Sequence, residues 1–357
     1  MSSKGSVLVA MSGGVDSSVA ACLLHAEGYE VLGSHLRLVH LEGVEHGCCG
    51  PAARADADAV ARIAGFPFEI ADMTLEFDEH VIGDFVAEHA AGRTPNPCAR
   101  CNAQIKFGAF LRRADELGID LVATGHYVRT ELVTRRWRLL RGADRSKDQS
   151  YMLHMLGQRE LARSRFPVGG LSKAETRRLA ERFGLPVAGK PDSQELCFAP
   201  AGDAGAFLRQ VAPHLMRDGE VVDPEGRVLA MHRGAAAFTV GQRRGLGVSG
   251  PAPSYVLEVD AAANRVVVGP GELLARRGLV ADRVSWVRGE PPAEGPFEAR
   301  VRTRYRGEDI PAVLEPDGER LRVRFAEPQR AVAPGQSVVV YRGEEVLGGG
   351  RILEPLS

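Results

Sequence analysis

One stretch near the start constrains this chain more than any other, Ser12-Gly13-Gly14-Val15-Asp16-Ser17-Ser18. An apolar run from Val7 to Met11 leads into it, and Val19-Ala20-Ala21-Cys22-Leu23-Leu24 leads out. That order predicts a buried strand, a tight glycine turn and a helix. Paired glycines let the backbone approach a ligand that any Cβ would push away. The hydroxyls of Ser12, Ser17 and Ser18 are expected to face one point with the free N–H groups of the helix start. The partial positive charge there suits an anion such as pyrophosphate. The residues do not spell GxxxxGK[ST], so this is not a Walker loop.

The next hundred or so positions repeat the alternation. Strands are expected at Glu30–Leu38, Phe68–Ile70 and Leu121–Thr124, and helices at 52–64, 75–89 and 103–117. Strands alternating with helices of this length mean a parallel sheet covered on both faces, with ligands at the carboxyl ends of its strands. Val128–Leu140 reads as a basic hairpin with Arg135, Arg136 and Arg138 near its turn, and Ser172 with Glu175 as a capping box. Beyond about residue 202 the texture changes to short alternating runs. They lie at Phe238–Val240, Tyr255–Asp260, Arg265–Gly269, Glu298–Tyr305, Pro311–Leu314, Leu321–Phe325 and Ser337–Tyr341. These read as one or two small barrels. The expected domains are 1–202, 203–275 and 276–357.

The six cysteines are Cys22, Cys48, Cys49, Cys98, Cys101 and Cys197. Their number and spacing do not make a disulfide scaffold. Cys22 falls on the apolar face of the first helix. Cys98 and Cys101 form a C-x-x-C, which by itself admits zinc, an iron–sulfur cluster or a redox pair. A second C-x-x-C is absent from the sequence, which argues against a closed zinc site. Pro95-Asn96-Pro97 is a rigid lead-in that would hold a thiol at a helix start, where the helix field favours thiolate. A formal net charge of −1 means that any RNA must be held by local basic patches. Apolar runs long enough for a membrane span or a signal peptide do not occur, and a cytoplasmic protein is expected.

Several stretches together resemble the bacterial and organellar tRNA-specific 2-thiouridylases, members of the PP-loop ATP pyrophosphatase superfamily. They are Met11–Ser18, Gly92–Pro97, Cys101-Asn102, Ile105–Gly108, Ala123–Tyr127, Lys147–Tyr151, Ser193–Phe198, Phe238–Gly247, Tyr255–Leu257 and Ala333–Gln336. The resemblance runs in order along nearly the whole chain. It implies an α/β fold: an N-terminal PP-loop domain of the adenine nucleotide alpha hydrolase type, then smaller mostly-β domains, the last a β-barrel. It also implies that Ala10, Met11, Ser12, Gly13, Gly14, Val15, Asp16 and Ser17 bind ATP with Leu36 and Gly125. Cys101 would be the nucleophile and Cys197 the persulfide carrier. Asn96, Pro97 and Cys98 would line the pocket for the target base. His126, Lys147, Asp148, Gln149, Arg304, Tyr305 and Gln336 would touch tRNA. Many members carry aspartate where this chain has Cys98, so an acid/base role does not transfer there.

The implied reaction is ATP-dependent 2-thiolation of the wobble uridine, position 34. ATP, with Mg²⁺, adenylates the uracil O2 and releases pyrophosphate; sulfur then displaces AMP. Two thiols distant in sequence but meeting at one pocket suit that chemistry, and the base must leave its stack to enter. In an alternative route Cys98, Cys101 and Cys197 would hold a [4Fe–4S] cluster with one open iron. The expected partners are tRNA, from the Lys, Glu and Gln acceptors, and a persulfide or sulfur-relay donor protein, with no membrane. An amide-forming PP-loop ligase would share the ATP loop but need no cysteines. A non-catalytic RNA-binding protein would release no pyrophosphate.

Overall fold

The computed structural model describes residues 4–39, 50–192, 196–199, 203–250 and 252–357. Cys48, Cys49 and the Ser193–Glu195 part of one motif lie outside the described residues.

Strand Ser6–Ala10 lies at the middle of a five-stranded parallel sheet. Its neighbours are Glu30–Arg37 and then Phe68–Asp72 on one side, and Leu121–Ala123 and then Ser164–Arg165 on the other. Val7, Leu8 and Val9 are fully buried. Val7 and Val9 pack with helix Val15–Ala26 and Leu8 packs with the opposite cluster, which is why this strand is a continuous apolar run. Successive crossovers leave the central strand in opposite directions. The loops after Ala10 and Ala123 therefore lie side by side at the switch point, where such sheets bind ligands.

Two expected helices differ in detail. The span expected at 75–89 is Thr74–Phe77, a widened π turn at Asp78–Ile82, and Gly83–Ala90. The one expected at 103–117 begins earlier. It starts at Pro97, passes through Cys101, widens into a π turn at Asn102–Ala109 and ends as Phe110–Glu116. The early start has a local cause: the Asn96 side chain accepts the Ala99 N–H at 3.2 Å, and Pro97 fills the first position, where a missing N–H costs nothing.

The second half is β. Strands Tyr255–Asp260, Arg265–Gly269, Asp218–Val222 and Val228–Arg233 form one sheet in that order. A six-stranded barrel follows: Ala275–Trp286, Arg320–Arg330, Ile310–Asp317, Phe297–Arg302, Ser337–Arg342 and Glu345–Leu356, closed by pairing of the first and last. Glu345–Leu356 and Ala275–Trp286 escape the alternating pattern because glycines and register shifts interrupt it. Phe238–Val240 is not a strand: the N–H of Thr239 goes to the Gln242 side chain and that of Phe238 to Ala235, both within turns.

The halves share a core. One apolar cluster joins Leu8, Phe77 and Phe110 to Phe207, Val339, Tyr341 and Val346. The basic hairpin, Val128–Val133 and Arg136–Arg141, extends the barrel sheet through Leu139 and Leu140 rather than projecting from it. Among the described residues no helix is long and apolar enough to cross a membrane.

Candidate active site

The glycine loop follows the central strand, as its sequence predicts, but its parts serve different ends. Gly13 has φ 68°, and a Cβ there would collide with the Ala53 carbonyl of helix Pro51–Ala64. Its glycine is therefore demanded by helix packing. Gly14 is the open one, with only the Ser12 hydroxyl within 4 Å of a Cβ, at 3.5 Å. The three hydroxyls cluster, Ser12 Oγ lying 3.3 Å from Ser17 Oγ, but two of them are turned inward onto the Gly14 carbonyl. Ser18 is fully buried and donates to the Gly14 carbonyl at 2.8 Å. Ser17 Oγ accepts the Ser12 N–H at 3.2 Å and lies 3.2 Å from the Gly14 carbonyl. Of the three, only Ser12 is exposed. The N-cap of helix Val15–Ala26 is Gly14, which supplies no side-chain cap, so the helix start suits an anion. Gly125 packs against the same helix start, where a Cβ would sit 2.5 Å from the Ser17 nitrogen.

Behind the loop lies a network of ion pairs that sequence reasoning did not anticipate. Lys173 binds both Asp16 oxygens, at 2.7 and 2.8 Å, and Asp192 at 2.7 Å. Tyr127 donates to Asp16 at 2.8 Å. Asp192 also takes Lys147 at 2.9 Å, and Lys190 donates to the Gly13 carbonyl at 2.9 Å. The segment leading to Cys197 is thus pinned to the glycine loop by two lysines. The one legible signal was the Ser172–Glu175 capping box, which does form and starts the helix at Lys173.

Cys98 and Cys101 lie in the first turns of the Pro97 helix, Cys98 exposed and Cys101 buried. Cys101 belongs to the large apolar cluster, against which Ala10, half-buried Cys197 and Tyr305 also pack; Leu36 is a member. Phe198, beside Cys197, meets Phe85 edge to face at 5.2 Å and Phe207 at a tilt at 4.8 Å. Cys22 is core, and burial pushes its thiol up to about 11. Among the described residues no three His, Cys, Asp or Glu side chains gather closely enough to hold a metal. Cys98, Cys101 and Cys197 do not form such a group, and the iron–sulfur route has no support here.

Three family models cover the chain in order. The tRNA methyl transferase HUP domain matches residues 5–201, the PRC-barrel domain 205–270 and the aminomethyltransferase beta-barrel domain 276–352. Full-length relatives decide the family. A tRNA-specific 2-thiouridylase MnmA of Geobacter metallireducens is 49% identical over 355 residues, 97% of this chain and 96% of the relative. Those of Roseiflexus castenholzii and Chloroflexus aurantiacus are 45% and 47% identical, over 97% and 98% of this chain and 98% of each relative. The chain belongs to the tRNA-specific 2-thiouridylase family.

The positions that the family resemblance links to tRNA are placed unevenly. Arg304 is exposed and Tyr305 half-buried, tilted on Tyr151 at 6.1 Å. Burial raises the Tyr305 pKa, and Asp148 and Cys98 both lie within its electrostatic reach, so the barrel overlooks the C-x-x-C helix. His126 is only 9% exposed, bonded to Thr124 at 2.8 Å, and burial and then Lys106 hold its pKa well below the usual range. Asp148 is buried, accepting the N–H of Gly142 and of Ser150, and Gln149 accepts the Tyr127 N–H at 2.9 Å. These last three shape the loop. Of the hairpin arginines, Arg136 pairs with Glu290 and Arg138 with Glu345, while Arg135 stays exposed at the turn.

Proposed function

We propose that this chain carries out the reaction its relatives are named for, 2-thiolation of a tRNA uridine, and that the residue is the wobble uridine. One observation carries the reading: residues of the glycine loop's strand, the C-x-x-C helix and the Cys197 segment all meet at a single apolar cluster. ATP enters with its phosphates at the uncapped helix start. The uracil O2 attacks the α-phosphorus and pyrophosphate leaves, which turns a poor leaving oxygen into AMP. The terminal sulfur of a Cys197 persulfide attacks C2 and AMP departs with the oxygen. The Cys101 thiolate then attacks the Cys197 sulfur, breaking the S–S bond and leaving thiouridine and a Cys101–Cys197 disulfide. A dithiol reductant and a persulfide donor protein reset the pair. The apolar walls around Cys101 exclude water from the activated base.

The test is mass analysis of tRNA incubated with the protein, MgATP and a persulfide donor. One sulfur gained for one oxygen at the wobble uridine, with one pyrophosphate released per turnover, is expected. Pyrophosphate release without sulfur gain would favour a ligase. Binding of tRNA with neither would leave a non-catalytic RNA-binding protein.

A further inference from the structure

The barrel turn Pro334–Ser337 grips the residues just before the C-x-x-C helix. The Thr94 N–H donates to the Pro334 carbonyl at 2.8 Å. The Gln336 amide donates to the Thr94 and Pro95 carbonyls at 2.9 and 3.0 Å. The Asn96 amide donates to Ser337 Oγ at 3.2 Å. Gly335 has φ 90°, and a Cβ on it would sit 2.8 Å from the Thr94 backbone, so the turn fits only in this close approach. Ser337 is itself held, its carbonyl accepting the Tyr151 hydroxyl at 2.8 Å.

We infer that Gln336 and Ser337 are positioning residues for the nucleophile helix, acting through Thr94, Pro95 and Asn96; the inference rests on the thiolation reading above. The amide of Asn96 has two ends with different duties. Its oxygen must face inward to accept the Ala99 N–H and cap the helix. Its nitrogen must then point outward, and Ser337 Oγ receives it, which fixes the flip. Gln336 supplies donors to two carbonyls that precede the cap, so the chain enters the helix at one angle. Cys98 rides on that first turn and Cys101 follows on the next, and a shift of about 1 Å in a reacting group can cost a hundredfold in rate. The barrel thus sets the thiol's position before any RNA is present, whether or not Gln336 also meets tRNA.

The test compares full-length Gln336→Glu, Ser337→Ala and Ser337→Thr with the parent. The carboxylate introduced by Gln336→Glu cannot donate to the two carbonyls. The methyl left by Ser337→Ala cannot receive the Asn96 amide, whereas the hydroxyl kept by Ser337→Thr can. Hydrogen exchange of the 97–101 segment in RNA-free protein should quicken at least about tenfold in the first two variants and return toward the parent in Ser337→Thr. Single-turnover thiolation at saturating tRNA should fall about tenfold or more in the same two, while in Ser337→Ala the tRNA Kd moves less than about threefold. A loss confined to Kd, with exchange unchanged, would make Gln336 an RNA contact alone and overturn the inference. Equal damage in Ser337→Thr and Ser337→Ala would also overturn it, by showing that the hydroxyl does not matter. If the parent proves unable to thiolate, the exchange arm still decides the positioning role by itself, separating failure of this inference from failure of the proposed reaction.

Discussion

Lys173 closes its ammonium over both carboxylate oxygens of Asp16, at 2.7 and 2.8 Å, in the space behind the glycine loop. The carboxylate expected to work with ATP is therefore part of a protein ion pair, which the same lysine continues to Asp192. Asp192 begins the segment that ends at Cys197, so the loop and the sulfur-bearing segment share one cation.

Asp16→Asn is expected to lower pyrophosphate release at least about a hundredfold, nearly 3 kcal/mol in barrier. Steady-state release at saturating MgATP checks this. If Asp16 served only to anchor Lys173, the variant would melt at a lower temperature yet turn over normally where it is still folded.

Cys101→Ser and Cys197→Ser should each abolish thiolation, and Cys98→Asp should keep substantial activity, because the family resemblance implies an aspartate at this position in many members. Sulfur incorporation by iron-free protein supplied with a persulfide donor is the accompanying measurement. Activity seen only after anaerobic reconstitution with iron and sulfide would overturn the persulfide route.

Glu88 links the two halves by pairing with Arg93, at 2.6 Å, and with Arg351 of the barrel. Burial alone would raise its pKa, but the Arg93 bond and the charges of Arg351, Arg93 and Arg283 outweigh that and lower it below 4.5. A lowered folded pKa means stability fully present above 4.5 and lost as pH falls through the folded value. Thermal melts should show an acid limb below that point which Glu88→Gln flattens. At neutral pH the same change should cost about 3 kcal/mol, since it leaves arginines facing an uncharged partner. An unchanged acid limb would assign the loss to other carboxylates.

A chain cut after residue 202 should not fold cooperatively. The cut removes Phe207, which packs at a tilt on Phe198 at 4.8 Å, and strips Val339, Tyr341 and Val346 from the shared cluster. It also leaves Arg141, 1% exposed, without Asp309, its partner at 2.8 Å. Loss of a sharp calorimetric transition is the expected result; a fragment that melts cooperatively and binds ATP would show that the N-terminal half is self-sufficient.

The sequence by itself determined the parallel sheet, the glycine loop at its centre, the change to β texture and the family, because each rests on short-range pattern. An apolar run before Ser-Gly-Gly, helical periods between strands and Ser172 capping with Glu175 are all contained in a few consecutive residues. Contacts between distant segments carry no such local trace, and these only the tertiary structure decided. Lys173 and Lys190 meet the glycine loop, Gln336 and Ser337 meet the residues before Cys98, and the basic hairpin joins the barrel through Leu139 and Leu140. The same reason separates two glycines that look alike in sequence. Gly13 is required by a helix far along the chain, at Ala53, whereas Gly14 faces open space where an anion can come.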